Sequence, residues 1–107
     1  MNFEEYRIAA QRTSNTAARH EKILNGAMGL NGEAGEVIDL VKKYMFQGHN
    51  LDINKLVDEA SDCLWYIAEL ATGLGVGLED IAQHNIEKLW RRFPQGFDSV
   101  RSVNREE

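Results

Sequence analysis

Glu33 and Glu36 stand three residues apart in the stretch LNGEAGEV, and Glu59 and Asp62 repeat that spacing in DEASD. On an α-helix, residues three apart differ by about 60° around the axis and share a face. Each pair borders the apolar stripe of its own segment. If the two segments form an antiparallel hairpin, the pairs face each other across its axis. The connection at Gln47–Ile53 lies roughly midway between them, as such a hairpin requires. Four carboxylates meeting in a partly dry groove repel one another and lose hydration, a cost of several kcal/mol per ion. A divalent cation removes that conflict. An all-oxygen donor set suits magnesium, which keeps waters for substrate phosphates, with manganese as a substitute. The pattern holds no thiol or imidazole to recommend zinc.

A blander reading competes with this one. Paired acids on helices are commonly a solvated face balanced by lysines, and Asp39–Lys43 has the spacing of such a pair. Two features favour a site: both acid pairs flank the core seam, and glycines flank the first pair. Gly26, Gly29, Gly32 and Gly35 recur every three residues, and each costs a helix about 1 kcal/mol relative to alanine. Gly32 and Gly35 would let another backbone or a bulky ligand come close to Glu33 and Glu36. Tight helix–helix packing is the structural alternative, and both can hold at once. Asp39 and Glu69 are acids on the same two segments for which no ligand role is expected.

The elements that must position these acids are helical. The only proline of the 107-residue chain is Pro94, and no segment sustains the alternation of a strand. A first helix starts at Asn2, with Glu5 completing an Asn version of the capping box, and TSNTAAR is either a break or a polar continuation. A second runs from about Glu21 to Phe46, with Leu30, Ala34, Val37, Ile38, Val41 and Met45 as its apolar stripe. A third starts near Asp52 or Asn54. It buries Leu56, Ala60, Cys63, Leu64, Ile67, Ala68 and Ala71, and ends at GLGVG. A fourth spans Leu78–Arg92 with Leu78, Ile81, Ala82, Ile86, Leu89 and Phe93 inward, before Pro94 and Gly96 stop it. The expected architecture is all-α: one domain over residues 1–107, a four-helix antiparallel bundle joined by short loops. The tail 98–107 is expected to be partly mobile. Tyr44, Trp65, Trp90 and Phe97 are more aromatic surface than so small a core needs, which points to a homodimer or homotetramer.

Composition sets further bounds. A net charge of −5 argues against nucleic acid as a partner. No apolar run reaches membrane-spanning length, so no membrane role is expected. The acidic N-terminus MNFEEYRIAAQ does not read as a signal peptide, and the single Cys63 excludes an internal disulfide, which fits a cytoplasmic location. Cys63 itself falls on the buried stripe and reads as a core residue. His20, His49 and His84 complete no E-x-x-H motif, which disfavours a di-iron bundle. Trp65 and Trp90 read as packing residues, with stacking on a base as the alternative.

GLNGEAGEVIDLVKK followed by DEASDCLWYIAEL resembles the MazG-like nucleotide pyrophosphohydrolases of the all-α NTP pyrophosphatase superfamily. The hallmark E-x-x-E, spacer, E-x-x-D reads here as Glu33, Glu36, Glu59 and Asp62. LEDIAQHNIEKLWRRFPQGF is similar to the family's N-x-x-K-L…R-x-P-x-G-F ending. Ala60-Ser61 stands where many relatives carry Leu-Gly, and the ligand positions are intact. The resemblance implies hydrolysis of a nucleoside triphosphate to monophosphate and pyrophosphate, with magnesium held by the four acids. Glu36 is the candidate general base. Lys42 and Lys43 are candidates to neutralise phosphate, and Asn85, Lys88 and Arg92 to line the nucleotide site. An ordinary exposed face with a basic last turn explains the last three equally well. Related alternatives are a phosphoribosyl-ATP or dUTP hydrolase, and a helical module that binds nucleotide or metal without turnover.

Overall fold

The computed structural model describes residues 1–105, and its named elements are all helices: α1 (Phe3–Gln11), α2 (Arg19–Phe46), α3 (Ile53–Leu74), α4 (Leu78–Arg92) and a short α5 (Ser99–Val103). Local chemistry sets the boundaries. Asn2 caps α1 by accepting from the Glu5 N–H at 2.8 Å, and Asp52 caps α3 through the Lys55 N–H at 3.2 Å. Gly75 ends α3 at φ 74°, a left-handed conformation that only glycine adopts without a Cβ clash. The ambiguous TSNTAAR is a break, so α2 begins at Arg19 rather than Glu21.

The four long helices are those expected, but they pack unequally. α2 and α3 form an antiparallel hairpin that dominates the fold, while α1 lies against α3 and α4, and α4 against α1 and α3. Glycines set the closeness of the hairpin. A Cβ on Gly26 would come within 2.7 Å of the Leu70 backbone nitrogen, and one on Gly29 would run into the Tyr66 ring. Across the same interface, a Cβ on Gly73 would meet the Ile23 backbone nitrogen at 2.9 Å. Gly32 and Gly35, by contrast, have nothing within 4 Å. The fully buried core is small: Ala68, Ala71 and Leu78, with Tyr6 and Ile67 packed against it.

Much of the expected core faces outward. On α2, Ile38 and Met45 are more than half exposed, and on α4 Ile86 and Leu89 are exposed, as are Tyr44, Trp90 and Phe97. The reason is that α4 packs mainly against α1 and α3 and does not close over α2. The radius of gyration, 16.8 Å, exceeds the roughly 13 Å of a compact chain of this length. The tail expected to be mobile starts with α5, which Asp98 caps, and Arg101 donates to the Arg92 and Arg91 carbonyls at 2.7 and 3.3 Å. Glu106 and Glu107, the last residues of that expected tail, lie outside the described residues. Among the described residues no helix is long and apolar enough to cross a membrane.

One acid turns out to hold the fold together. Glu69, for which no ligand role was expected, is completely buried. Its carboxylate accepts from Gln11 Nε2, Ser14 Oγ, Thr16 Oγ1 and Asn25 Nδ2, each at 2.9 Å, with Lys22 Nζ at 3.7 Å. These donors come from the end of α1, the α1–α2 linker and α2, so a single side chain of α3 ties three segments down. Burial pushes the carboxyl up, but the hydrogen bonds from Gln11, Asn25, Ser14 and Thr16 outweigh it and hold the pKa at about 2.

Two stability predictions follow from this packing. Because the folded pKa of Glu69 lies below its unfolded value, its stabilisation is complete above the ordinary glutamate value of 4.5 and is lost as pH falls toward about 2. Glu69→Gln should therefore lower stability at neutral pH by about 3 kcal/mol and flatten the acid limb of the stability curve. An unaltered acid limb in denaturant titrations would refute the network's role. Gly26→Ala should destabilise by about 1–3 kcal/mol despite its better helix propensity, since Leu70 backbone cannot give way. A raised unfolding midpoint would mean that this contact does not set the helix spacing.

Candidate metal centre

The glycine contacts fix the hairpin register. Gly73 meets Ile23, Gly26 meets Leu70 and Gly29 meets Tyr66. Continued toward the loop, the same antiparallel register sets Glu33 opposite Asp62 and Glu36 opposite Glu59. The side chains of Glu33, Glu59 and Asp62 converge: each offers a carboxylate oxygen, all three oxygens lie within 4.8 Å of one another, and all three residues are half-buried. Glu36 stands outside this trio and is exposed.

Electrostatics mark the cluster as short of positive charge. Glu59 has its pKa raised, first by burial, then by a hydrogen bond with Glu33, then by the charges of Glu33, Asp62 and Glu36. Within the chain this repulsion stays uncompensated, and a cation between the carboxylates would relieve it. The donor set is all oxygen, from two helices held at fixed separation, which fits a hard divalent ion such as magnesium and not a thiophilic one. The same charge is felt on α1, where burial and the Asp62 carboxylate raise the pKa of the Tyr6 phenol.

The other expected site residues are distributed differently. Lys42 and Lys43 both pair with Asp39, at 3.6 and 2.9 Å. Lys43 still senses Glu36, whose charge helps to raise its pKa after the Asp39 hydrogen bond and charge have done most of that work. Asn85, Lys88 and Arg92 lie on α4, which packs against α1 and α3. Cys63 is a free, half-buried thiol. A cavity of about 470 Å³ lies away from the acids. It lies along α4 between Ile86, Leu89, Trp90, Phe93, Gly96 and Phe97.

A groove of about 310 Å³ does open on the cluster, lined by Glu33, Asp62, Trp65 and Tyr66. Trp65 reads from the sequence as packing, with base stacking as the alternative, and Tyr66 is not singled out, although their spacing contains the signal. Trp65 and Tyr66 follow Asp62 by three and four residues and so share its helix face. Glu69 continues that face one turn further, into the buried network.

No solved structure matches the chain. A protein described as Gene 37 protein, from Mycobacterium phage L5, is 33% identical over 114 residues that cover 98% of this chain and 100% of that one. Residues 20–97, which contain all four acids of the hallmark as well as the N-x-x-K-L and R-x-P-x-G-F segments, match the MazG nucleotide pyrophosphohydrolase domain, and the chain belongs to that family.

Proposed function

We propose that the chain hydrolyses a nucleoside triphosphate, ribo or deoxy, to the monophosphate and pyrophosphate, and so removes unwanted nucleotides from the pool. The observation that carries this is the convergence of Glu33, Glu59 and Asp62 at one face of the hairpin, in a family of nucleotide pyrophosphohydrolases. These three residues, with Glu36 beside them, would hold magnesium or manganese. Bound there, the ion supplies charge neutralisation for phosphate oxygens and acidifies a water. Glu36 is the acid least engaged by its neighbours. It takes the proton of the attacking water as that oxygen joins phosphorus and the α–β anhydride bond breaks. Lys43, held by Asp39 on the Glu36 side, offsets phosphate charge, with Lys42 next to it. Asn85, Lys88 and Arg92 enter as nucleotide contacts from α4 of the same or a second copy.

The proposal includes a homodimer or homotetramer. The chain exposes 7855 Å², whereas a compact monomer of its mass exposes about 6,000 Å². The excess is more than the roughly 800 Å² that each partner buries in a standard interface. The outward apolar residues of α2 and α4 offer surface for such an interface. Light scattering at micromolar concentration should give a dimer or larger, and a monomer would overturn the assembly.

The chemistry is tested by released pyrophosphate across a panel of NTPs and dNTPs, with dUTP and phosphoribosyl-ATP included, in magnesium and in a chelator. Glu36→Gln should lower kcat by about 100-fold or more. Glu33→Gln, Glu59→Gln and Asp62→Asn should lose metal affinity and turnover together, while the metal-free protein keeps or gains stability as repulsion is relieved. Asp39→Asn is the control and should leave metal binding intact. Glu69 cannot serve as a second control, because it is buried in the network that holds α1 and α2. If Glu33→Gln and Asp62→Asn both retain full magnesium-dependent activity, the site is wrong.

A further inference from the structure

The groove on the acid cluster has one wall of carboxylates and one of aromatic rings. Trp65 is half-buried in it and is held from behind. Its indole Nε1–H donates to the Ala10 carbonyl at 3.1 Å and to Thr13 Oγ1 at 2.9 Å. Tyr66 meets it edge to face, with ring centroids 5.0 Å apart and planes at 83°, and the Tyr66 ring in turn rests on Gly29. Thr13 lies in the linker whose neighbours Gln11, Ser14 and Thr16 are all bound to Glu69. The indole is therefore fixed in orientation by hydrogen bonds on one edge and by ring packing on another.

We infer that Trp65 is the platform on which the base of the nucleotide stacks. This rests on the proposed hydrolase reading, since it is the phosphates at Glu33, Glu59 and Asp62 that deliver the rest of the substrate to the aromatic wall. The indole's only polar atom is already bonded to the linker, so Trp65 offers the base a π-face and no hydrogen bond. It cannot read base edges. It grades bases by the area they stack, purines above pyrimidines. The platform is rigid before substrate arrives, which removes the ordering cost of forming it.

The test separates base from phosphate. In a Trp90→Phe background Trp65 is the sole tryptophan, and its emission is followed while magnesium–ATP, magnesium–CTP or magnesium–tripolyphosphate is added. Quenching by ATP above CTP, with none from tripolyphosphate, is expected. Equal quenching by ATP and tripolyphosphate overturns the platform. By calorimetry Trp65→Leu should weaken ATP binding by about tenfold and leave tripolyphosphate binding unchanged, and Trp65→Phe should restore most of the loss. If the unsubstituted protein binds both ligands and Trp65→Leu weakens both equally or neither, the platform is wrong and the hydrolase reading stands. If the unsubstituted protein binds neither ligand, the hydrolase reading fails and takes the platform with it. The fluorescence result decides the matter even if Trp65→Leu does not fold.

Discussion

The close approach of α2 to α3 is the constraint on which the rest of the molecule depends. Helices normally keep 8–10 Å between axes because side chains separate them. Here Gly26, Gly29 and Gly73 remove the separating atom at successive turns, so the partner meets backbone or a ring directly. Such a contact tolerates only one register. A slip of one residue would bring a Cβ onto Leu70 backbone or the Tyr66 ring. The same register, carried toward the loop, decides which carboxylates meet. The acid site is thus specified by contacts one to four turns away from it, on residues that do no chemistry.

α3 carries two acids that answer the problem of burial in opposite ways. Glu69 is wholly enclosed, yet four neutral donors and a lysine surround it, so it stays ionised far into the acid range. Glu59 is less enclosed, but its neighbours are themselves acids, and its charged form is disfavoured. The first arrangement is complete within the chain and stabilises the fold. The second leaves like charges facing one another within the chain. Composition does not distinguish the two, because both are glutamates beside the same apolar stripe. What differs is whether donors or acids lie opposite.

Much of this was legible in the sequence, and the failures have definite causes. The spacing of Glu33, Glu36, Glu59 and Asp62 and the antiparallel hairpin follow from helical periodicity and loop position. The caps at Asn2 and Asp52 follow from side-chain chemistry. The roles of the four glycines were read only in part: Gly26 and Gly29 pack against α3, whereas Gly32 and Gly35 stand in the open, and three-residue spacing alone cannot sort them. The structural role of Glu69 was not visible because its partners Gln11, Ser14, Thr16 and Asn25 are more than forty residues away. Periodicity also assigned Ile86 and Leu89 an inward face. It finds the apolar side of a helix but not whether this chain or another covers it.

Gly32 and Gly35 bracket Glu33, and Glu36 follows directly, in a stretch of α2 with no neighbour against either glycine. Two residues of low helical propensity within four positions make this the part of α2 whose backbone bonds open most readily. On the proposed reading, half of the ligand set therefore rides on a compliant turn, while Glu59 and Asp62 ride on a firmer one. Selectivity between ions of different radius depends on how rigidly the oxygens are held. A centre with one yielding side can adjust its oxygens to a slightly larger ion, so it should discriminate weakly between magnesium and manganese and leave that choice to whichever ion the surroundings supply.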